Sequence, residues 1–102
     1  MKVRYVLAPE AARDLVQIWG YIKKQSGTPM ADRVESVIRE RIVFLAGTPE
    51  AGHWRVDLTD EKVKFSPVYS YLIVYRPKTE PLQIVSILHS HRDVQEILKE
   101  RL

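Results

Sequence analysis

The sequence predicts one α+β domain in which a mostly antiparallel four-stranded sheet packs against an N-terminal helical hairpin, in the order βααβββα. Three observations predict it. Two apolar stripes at helical spacing lie between Pro9 and Gly47, split by one glycine–proline break. Three segments with the alternation or apolar density of strands follow one another between Val63 and Leu88, and a polar helix-start signal then precedes a last short apolar face. At 102 residues, with 45% hydrophobic and 28% charged side chains, the chain suits a single hydrophobic core, so residues 1–102 are read as one domain.

Val3, Tyr5 and Leu7 alternate with Lys2, Arg4 and Val6, the pattern of a half-buried strand. Pro9 ends it and suits the first position of a helix, where the N–H that proline lacks would be unpaired anyway. Leu15, Ile18, Trp19 and Ile22 then recur at helical spacing, which gives a helix of about four turns with Trp19 in its core stripe. Gly27, Thr28 and Pro29 supply a helix stop, an N-cap and a first-turn proline, so a second helix follows at once. Its stripe is Ala31, Val34, Ile38 and Leu45, widened by Val37 and Ile42, with Phe44 off it. Gly47-Thr48-Pro49 closes that helix.

From Glu50 to Glu61 there is little periodicity, so the segment is read as a surface loop anchored by Trp54. Val63 and Phe65 alternate with Lys62, Lys64 and Ser66, the pattern of an outer strand whose lysines discourage edge pairing. Tyr69 to Arg76 is apolar on both faces and reads as a central strand. Pro77 and Pro81 bound the loop to the strand Leu82 to Leu88. Ser90 with Asp93 three residues on matches a capping box ahead of Val94, Ile97 and Leu98 on a final helix.

Several function classes are excluded. Cysteine is absent, which removes a disulfide framework and cysteine-ligated zinc and fits a reducing compartment. The start Met1-Lys2-Val3-Arg4-Tyr5 lacks the apolar core of a signal peptide, and no apolar run approaches the roughly 20 residues that cross a bilayer. A soluble, cytoplasmic protein with no membrane role is the expectation. The net charge of +3 and pI near 9.3 favour acidic partners but fall short of the basic stripe of a dedicated duplex binder.

Three segments carry a resemblance: Leu7-Ala8-Pro9-Glu10-Ala11-Ala12-Arg13-Asp14-Leu15 with Ile18-Trp19 and Tyr21-Ile22, then Tyr71-Leu72-Ile73-Val74-Tyr75-Arg76, then Ile87-Leu88-His89-Ser90-His91-Arg92-Asp93. In this order and spacing they resemble the RelE/ParE toxins. The resemblance implies the toxin half of a type II toxin–antitoxin pair, a growth-arresting protein of plasmid-stabilisation type, neutralised by a cognate antitoxin whose C-terminal segment wraps it. RelE-like members cut mRNA in the ribosomal A site, whereas ParE-like members poison DNA gyrase and have no known hydrolytic site. Nuclease members commonly carry an arginine directly before the apolar-Val-Tyr stretch, and here Leu72 stands at that position. Cleavage through a ribose hydroxyl needs a base, an acid and a cation about the phosphate, and leucine supplies none of them. The resemblance is therefore to the ParE branch, which implies a non-catalytic inhibitor of DNA gyrase that needs no cofactor. The alternatives are a RelE-like ribosome-dependent mRNA endonuclease and a toxin-like interaction module that has lost activity. Two departures from the family pattern stand out. Ala8 replaces the usual serine before the proline, at a cost of about 1 kcal/mol in lost capping. Gly52-His53 replaces Gly-Arg, with Arg55 as the nearest substitute.

His89 and His91, two apart in an extended segment, place both imidazoles on one side, where they could act as acid–base groups or ligands. No third metal ligand is evident, so no metal site is assigned. As a nuclease, the chain would have to use His89 with Lys62, Lys64 and Arg76, the basic side chains near the sheet. As a gyrase binder, it would use His91, Arg92 and Arg76. Plainer roles compete: Asp93 favours a helix start, Arg92 pairs a nearby carboxylate, and the lysines protect an edge. Tyr21, off its helix's stripe, and Trp19 are the candidates for antitoxin contact in a helix-in-groove mode, with core packing the plainer role for Trp19.

Overall fold

In a computed structural model of the chain the structure describes residues 3–102, so Lys2 of the first predicted strand lies outside the described residues. The elements follow the expected order: β1 (Tyr5–Leu7), α1 (Pro9–Ser26), α2 (Thr28–Gly47), a single 3-10 turn (Pro49–Ala51), β2 (Lys64–Val68), β3 (Tyr71–Arg76), β4 (Leu82–His89) and α3 (Val94–Arg101). The sheet runs β1-β4-β3-β2. Its two later pairings are antiparallel, while β1 lies parallel to β4, so the sheet is mixed. Among the described residues no helix is long and apolar enough to cross a membrane.

Each face of the sheet has its own apolar layer, because successive strand residues point to opposite sides. Tyr71, Ile73 and Tyr75 of β3 meet Leu15 and Ile18 of α1 and Val34, Ile38, Ile42 and Leu45 of α2. Leu72 and Val74 face the other way, onto Phe65, Val85, Leu88 and the α3 residues Val94 and Leu98. Burial of such a side chain contributes about 1.5–3 kcal/mol, which explains why β3 is apolar on both faces from Tyr71 to Tyr75. β4 obeys the same rule only because of a bulge. Its register against β3 shifts between Val74 and Tyr75, so that Ile84 and Ile87 both join the hairpin layer while Val85 and Leu88 join the other.

Four local expectations need correction. Thr28 caps nothing: it is already the first residue of α2, and Gly27, at φ 92°, ends one helix and precedes the next. Only glycine takes that left-handed conformation without steric cost. Trp19 is half-buried rather than in the stripe, its Nε1 donating to Asp32 Oδ1 at 2.8 Å across the helical hairpin with Lys23 over its ring. The α1 stripe is instead Ala11, Leu15 and Ile18, and the helix, at 18 residues, makes about five turns. Trp54 does not anchor its loop, being 53% exposed. The third helix is capped by Asp93, which accepts from the Glu96 N–H at 3.2 Å, so Asp93 and Glu96 replace Ser90 and Asp93 as the start signal. Ala8, as expected, makes no side-chain cap bond.

The loop from Pro49 to Val63 is held by backbone and by one buried phenol. His53 and Phe65 exchange backbone hydrogen bonds at 2.8 Å, and Leu58 packs against the second layer. Tyr75, fully buried, donates its hydroxyl to the Pro49 carbonyl at 2.7 Å and accepts from the Gly52 N–H at 2.9 Å. There is no room for a side chain at Gly52, where a Cβ would run into Tyr75 Oη and lie 3.0 Å from the Phe65 carbonyl oxygen. Tyr75→Phe should cost about 1–3 kcal/mol in urea unfolding, since both loop groups lose their partner inside the protein. Gly52→Ala should also destabilise, and the two together should cost less than their sum because they share one clash. Full additivity would show that the phenol does not fix this loop.

Candidate functional site

β1 is three residues long and ends opposite Ile84, where the Ala8 N–H donates to the Ile84 carbonyl at 2.9 Å. Beyond that point the outer edge of β4 would carry unpaired backbone groups inside the protein. α1 runs along this edge and covers it. Asp14, 3% exposed, accepts the Ile87 N–H at 2.9 Å. Arg101 comes from α3, on the opposite face of the sheet, and grips the same carboxylate through Nη1 at 2.6 Å and Nη2 at 3.1 Å. Its Nη1 also reaches Ser86 Oγ, in a residue wholly buried, at 3.0 Å. The two-pronged pair thus joins a helix on each face around the strand edge, and among the described residues no buried side-chain polar atom lacks a partner.

Next to this clasp, α1 and the paired ends of β3 and β4 enclose an open cleft of about 210 Å³. Gln17, Ile18 and Tyr21 line it from the helix, and Tyr71, His89 and Arg92 from the end of the sheet. Tyr71 and His89 are register partners, and their rings meet edge to face at 5.3 Å. The His91 ring continues the row, 5.1 Å from His89 and tilted by 35°. His89 Nδ1 accepts the His91 N–H at 3.1 Å, which leaves Nε2 as the nitrogen free to face a partner. Burial, and secondarily the Tyr21 phenol, raises the Tyr71 pKa above its usual 10.0, so this hydroxyl stays protonated at neutral pH. Tyr21 is 63% exposed at the rim.

The structure brings together four of the residues expected at a functional site: Tyr21, His89, His91 and Arg92. It keeps the others apart. Arg76 closes the far end of β3, opposite Gln83 and five positions from Tyr71, about 17 Å along an antiparallel strand. Lys64 pairs with Tyr75 and donates its ammonium to the Glu50 carbonyl at 3.1 Å, lying 4.9 Å over Trp54. Lys62 is exposed ahead of β2. Arg55 forks onto Asp57 at 2.9 and 2.8 Å, and this hydrogen-bonded pairing raises the arginine pKa and lowers that of the carboxylate. It therefore does not stand as a free cation beside His53. Leu72 lies under α3 on the face opposite Tyr71, 7% exposed. Among the described residues no group of three His, Asp or Glu side chains is placed to hold a metal ion.

Sequence reasoning passed over Asp14, Gln17, Tyr71 and Arg101 as site residues. Asp14 did carry a signal, because it sits on the α1 stripe between Ala11, Leu15 and Ile18, where a carboxylate needs a buried partner.

Against known proteins, residues 5–94 match the model of a family described as the ParE toxin of the type II toxin-antitoxin system, parDE. That span runs from β1 to the first residue of α3. Among solved structures the chain is similar to one from the chromosomal ParDE TA system from P. aeruginosa, at TM-score 0.73 and 20% identity over 86% of this chain and 96% of that one. The likeness to that structure is one of fold. No curated protein sequence matches.

Two measurements test the site's construction. Asp14→Ala should destabilise by about 3 kcal/mol, at the low end for a broken buried pair because the Arg101 side chain keeps 20% of its surface in solvent. Adding Arg101→Ala should cost less than a second independent loss. The raised pKa of Tyr71, shared by buried Tyr75, means that the unfolded chain ionises first. Stability should then fall as pH rises through about 10, and Tyr71→Phe should flatten that fall. An unchanged slope would show that the phenol is solvated.

Proposed function

We propose, from the premise that the chain belongs to the ParE toxin family of type II toxin–antitoxin systems, that it is a non-catalytic toxin of DNA gyrase. A cognate antitoxin neutralises it, and it acts in the cytoplasm, where both partners reside. The observation that carries the choice of binding over cleavage is Leu72, a buried aliphatic side chain under α3 at the position where nuclease relatives commonly carry their arginine. The dispersal of Lys62, Lys64 and Arg76 away from His89 supports it, since phosphoryl chemistry requires its charged groups to converge within hydrogen-bond reach of one phosphate.

The target surface in this reading is the end of the sheet that presents His91 and Arg92, both exposed. Tyrosine and arginine are the residues most often found at interface hot spots, and Tyr21 stands on the helical side of the same cleft, where an antitoxin segment would reach it. Binding there blocks the cleft and so couples neutralisation to target contact. Arg76, at the other end of β3, belongs to the target surface only if the target spans the sheet.

Expression from a tightly controlled promoter should arrest growth and produce gyrase-linked DNA breaks, and Arg92→Ala should reduce both while leaving the protein folded. Removal of a hot-spot arginine commonly costs 2 kcal/mol or more in binding, about thirtyfold in affinity. Messenger RNA cut at codon boundaries, without DNA damage, would overturn the proposal.

A further inference from the structure

The end of the sheet carries more aromatic and imidazole surface than a packing role requires. Tyr71, His89 and His91 form a row of rings at about 5 Å spacing that emerges from the interior, from Tyr71 at 9% exposure to His91, exposed. Tyr21 stands across the cleft. Tyr69, two residues before Tyr71, is at the tip of the β2–β3 hairpin and 59% exposed. Its backbone is held at φ 53°, the left-handed region that glycine or asparagine usually occupies in a two-residue turn. The turn is tied to the row, because the Ser70 carbonyl accepts the Ser90 N–H at 2.8 Å. A bulky aromatic kept at a glycine-type position is an outlier that folding does not explain.

Asp14 is committed to Arg101 and Ile87, and Asp93 to the first turn of α3. Arg92, exposed at the mouth, has no carboxylate within ion-pair distance among the described residues. Flat π surfaces beside one free guanidinium match the chemistry of an unpaired nucleotide, whose base stacks on rings and whose phosphate takes the arginine. A duplex fits poorly, since its bases are already stacked and its dense phosphates call for a basic stripe that this end lacks.

We infer that the Tyr69, His89, His91 and Arg92 end of the sheet binds an unpaired nucleotide of a single nucleic-acid strand, stacking the base on the exposed His91 ring, which His89 and buried Tyr71 back, and seating the phosphate on Arg92. The inference rests on the reading of this end as the target surface. It adds that the target is engaged where a strand is open.

The test is fluorescence anisotropy of the full chain with labelled oligothymidine, oligouridine, a blunt duplex and an acidic peptide. Both single strands should bind, the preferred one identifying DNA or RNA as the source, and the duplex should bind at least tenfold more weakly. His91→Ala and Arg92→Ala should each weaken strand binding about tenfold, with Lys78→Ala, in the loop at the opposite end of the sheet, as the unaffected control. Tyr69→Gly separates binding from folding: it should raise Tm by relieving the backbone and still weaken strand binding. Equal binding of the duplex, tighter binding of the acidic peptide, or strand binding indifferent to these substitutions overturns the inference. Loss of the strand result with gyrase poisoning intact removes this inference alone, and strand binding without gyrase poisoning removes the target reading instead.

Discussion

The Asp14 carboxylate governs how this fold is closed. A three-residue β1 leaves the rest of β4's outer edge without a partner strand, and a buried backbone edge of that kind is costly. One side chain resolves the problem by accepting an edge N–H, and its remaining charge then requires a cation. Arg101 supplies it from the other face of the sheet. The polar requirement of one strand edge therefore fixes the position of α1 and α3 together, and with α1 the helical wall of the cleft.

The apolar layers complement that constraint without duplicating it. Both faces of β3 are covered, one by the helical hairpin and the other by α3 with the loop residue Leu58. Apolar contacts are non-directional and tolerate sliding, whereas a two-pronged ion pair does not. Layer packing thus supplies most of the stability, while the clasp and the Tyr75 hydroxyl fix register at two separate corners of the sheet. The cleft lies at the first of these corners, where His89 ends β4 and the chain turns towards α3.

Much of the fold was legible in the sequence because periodicity reports burial directly. The helical hairpin, the central character of β3 and the edge position of β2 all follow from where Ile38, Ile73 or Lys64 fall in their patterns. What escaped were features set by distant partners. The bulge at Val85 hides in a segment that is apolar on both faces, so nothing in its alternation marks the slip. A lone tryptophan in an aperiodic loop suggests an anchor, yet Trp54 is exposed and the loop is held by backbone atoms and a phenol from another strand. Helix caps slipped by one or three residues because Thr28, Ser90 and Asp93 are all competent cap residues, and tertiary context selects among such candidates. At the site, Tyr21, His89, His91 and Arg92 were legible as polar or aromatic residues off the core stripes. Their convergence with Tyr71 and Asp14 was not, because it depends on how α1 lies along β4.

The parallel placement of β1 against β4 also orders events in time. The first strand has to wait for Leu82–Ile84, and Asp14 for an arginine 87 positions later. During synthesis from the N-terminus, the helical hairpin can form from local contacts, while the edge it will cover does not yet exist. A nascent chain therefore carries Asp14 and the rim tyrosine long before it carries a closed cleft. Closure of this kind comes late, so the cleft is complete only when the domain is nearly complete.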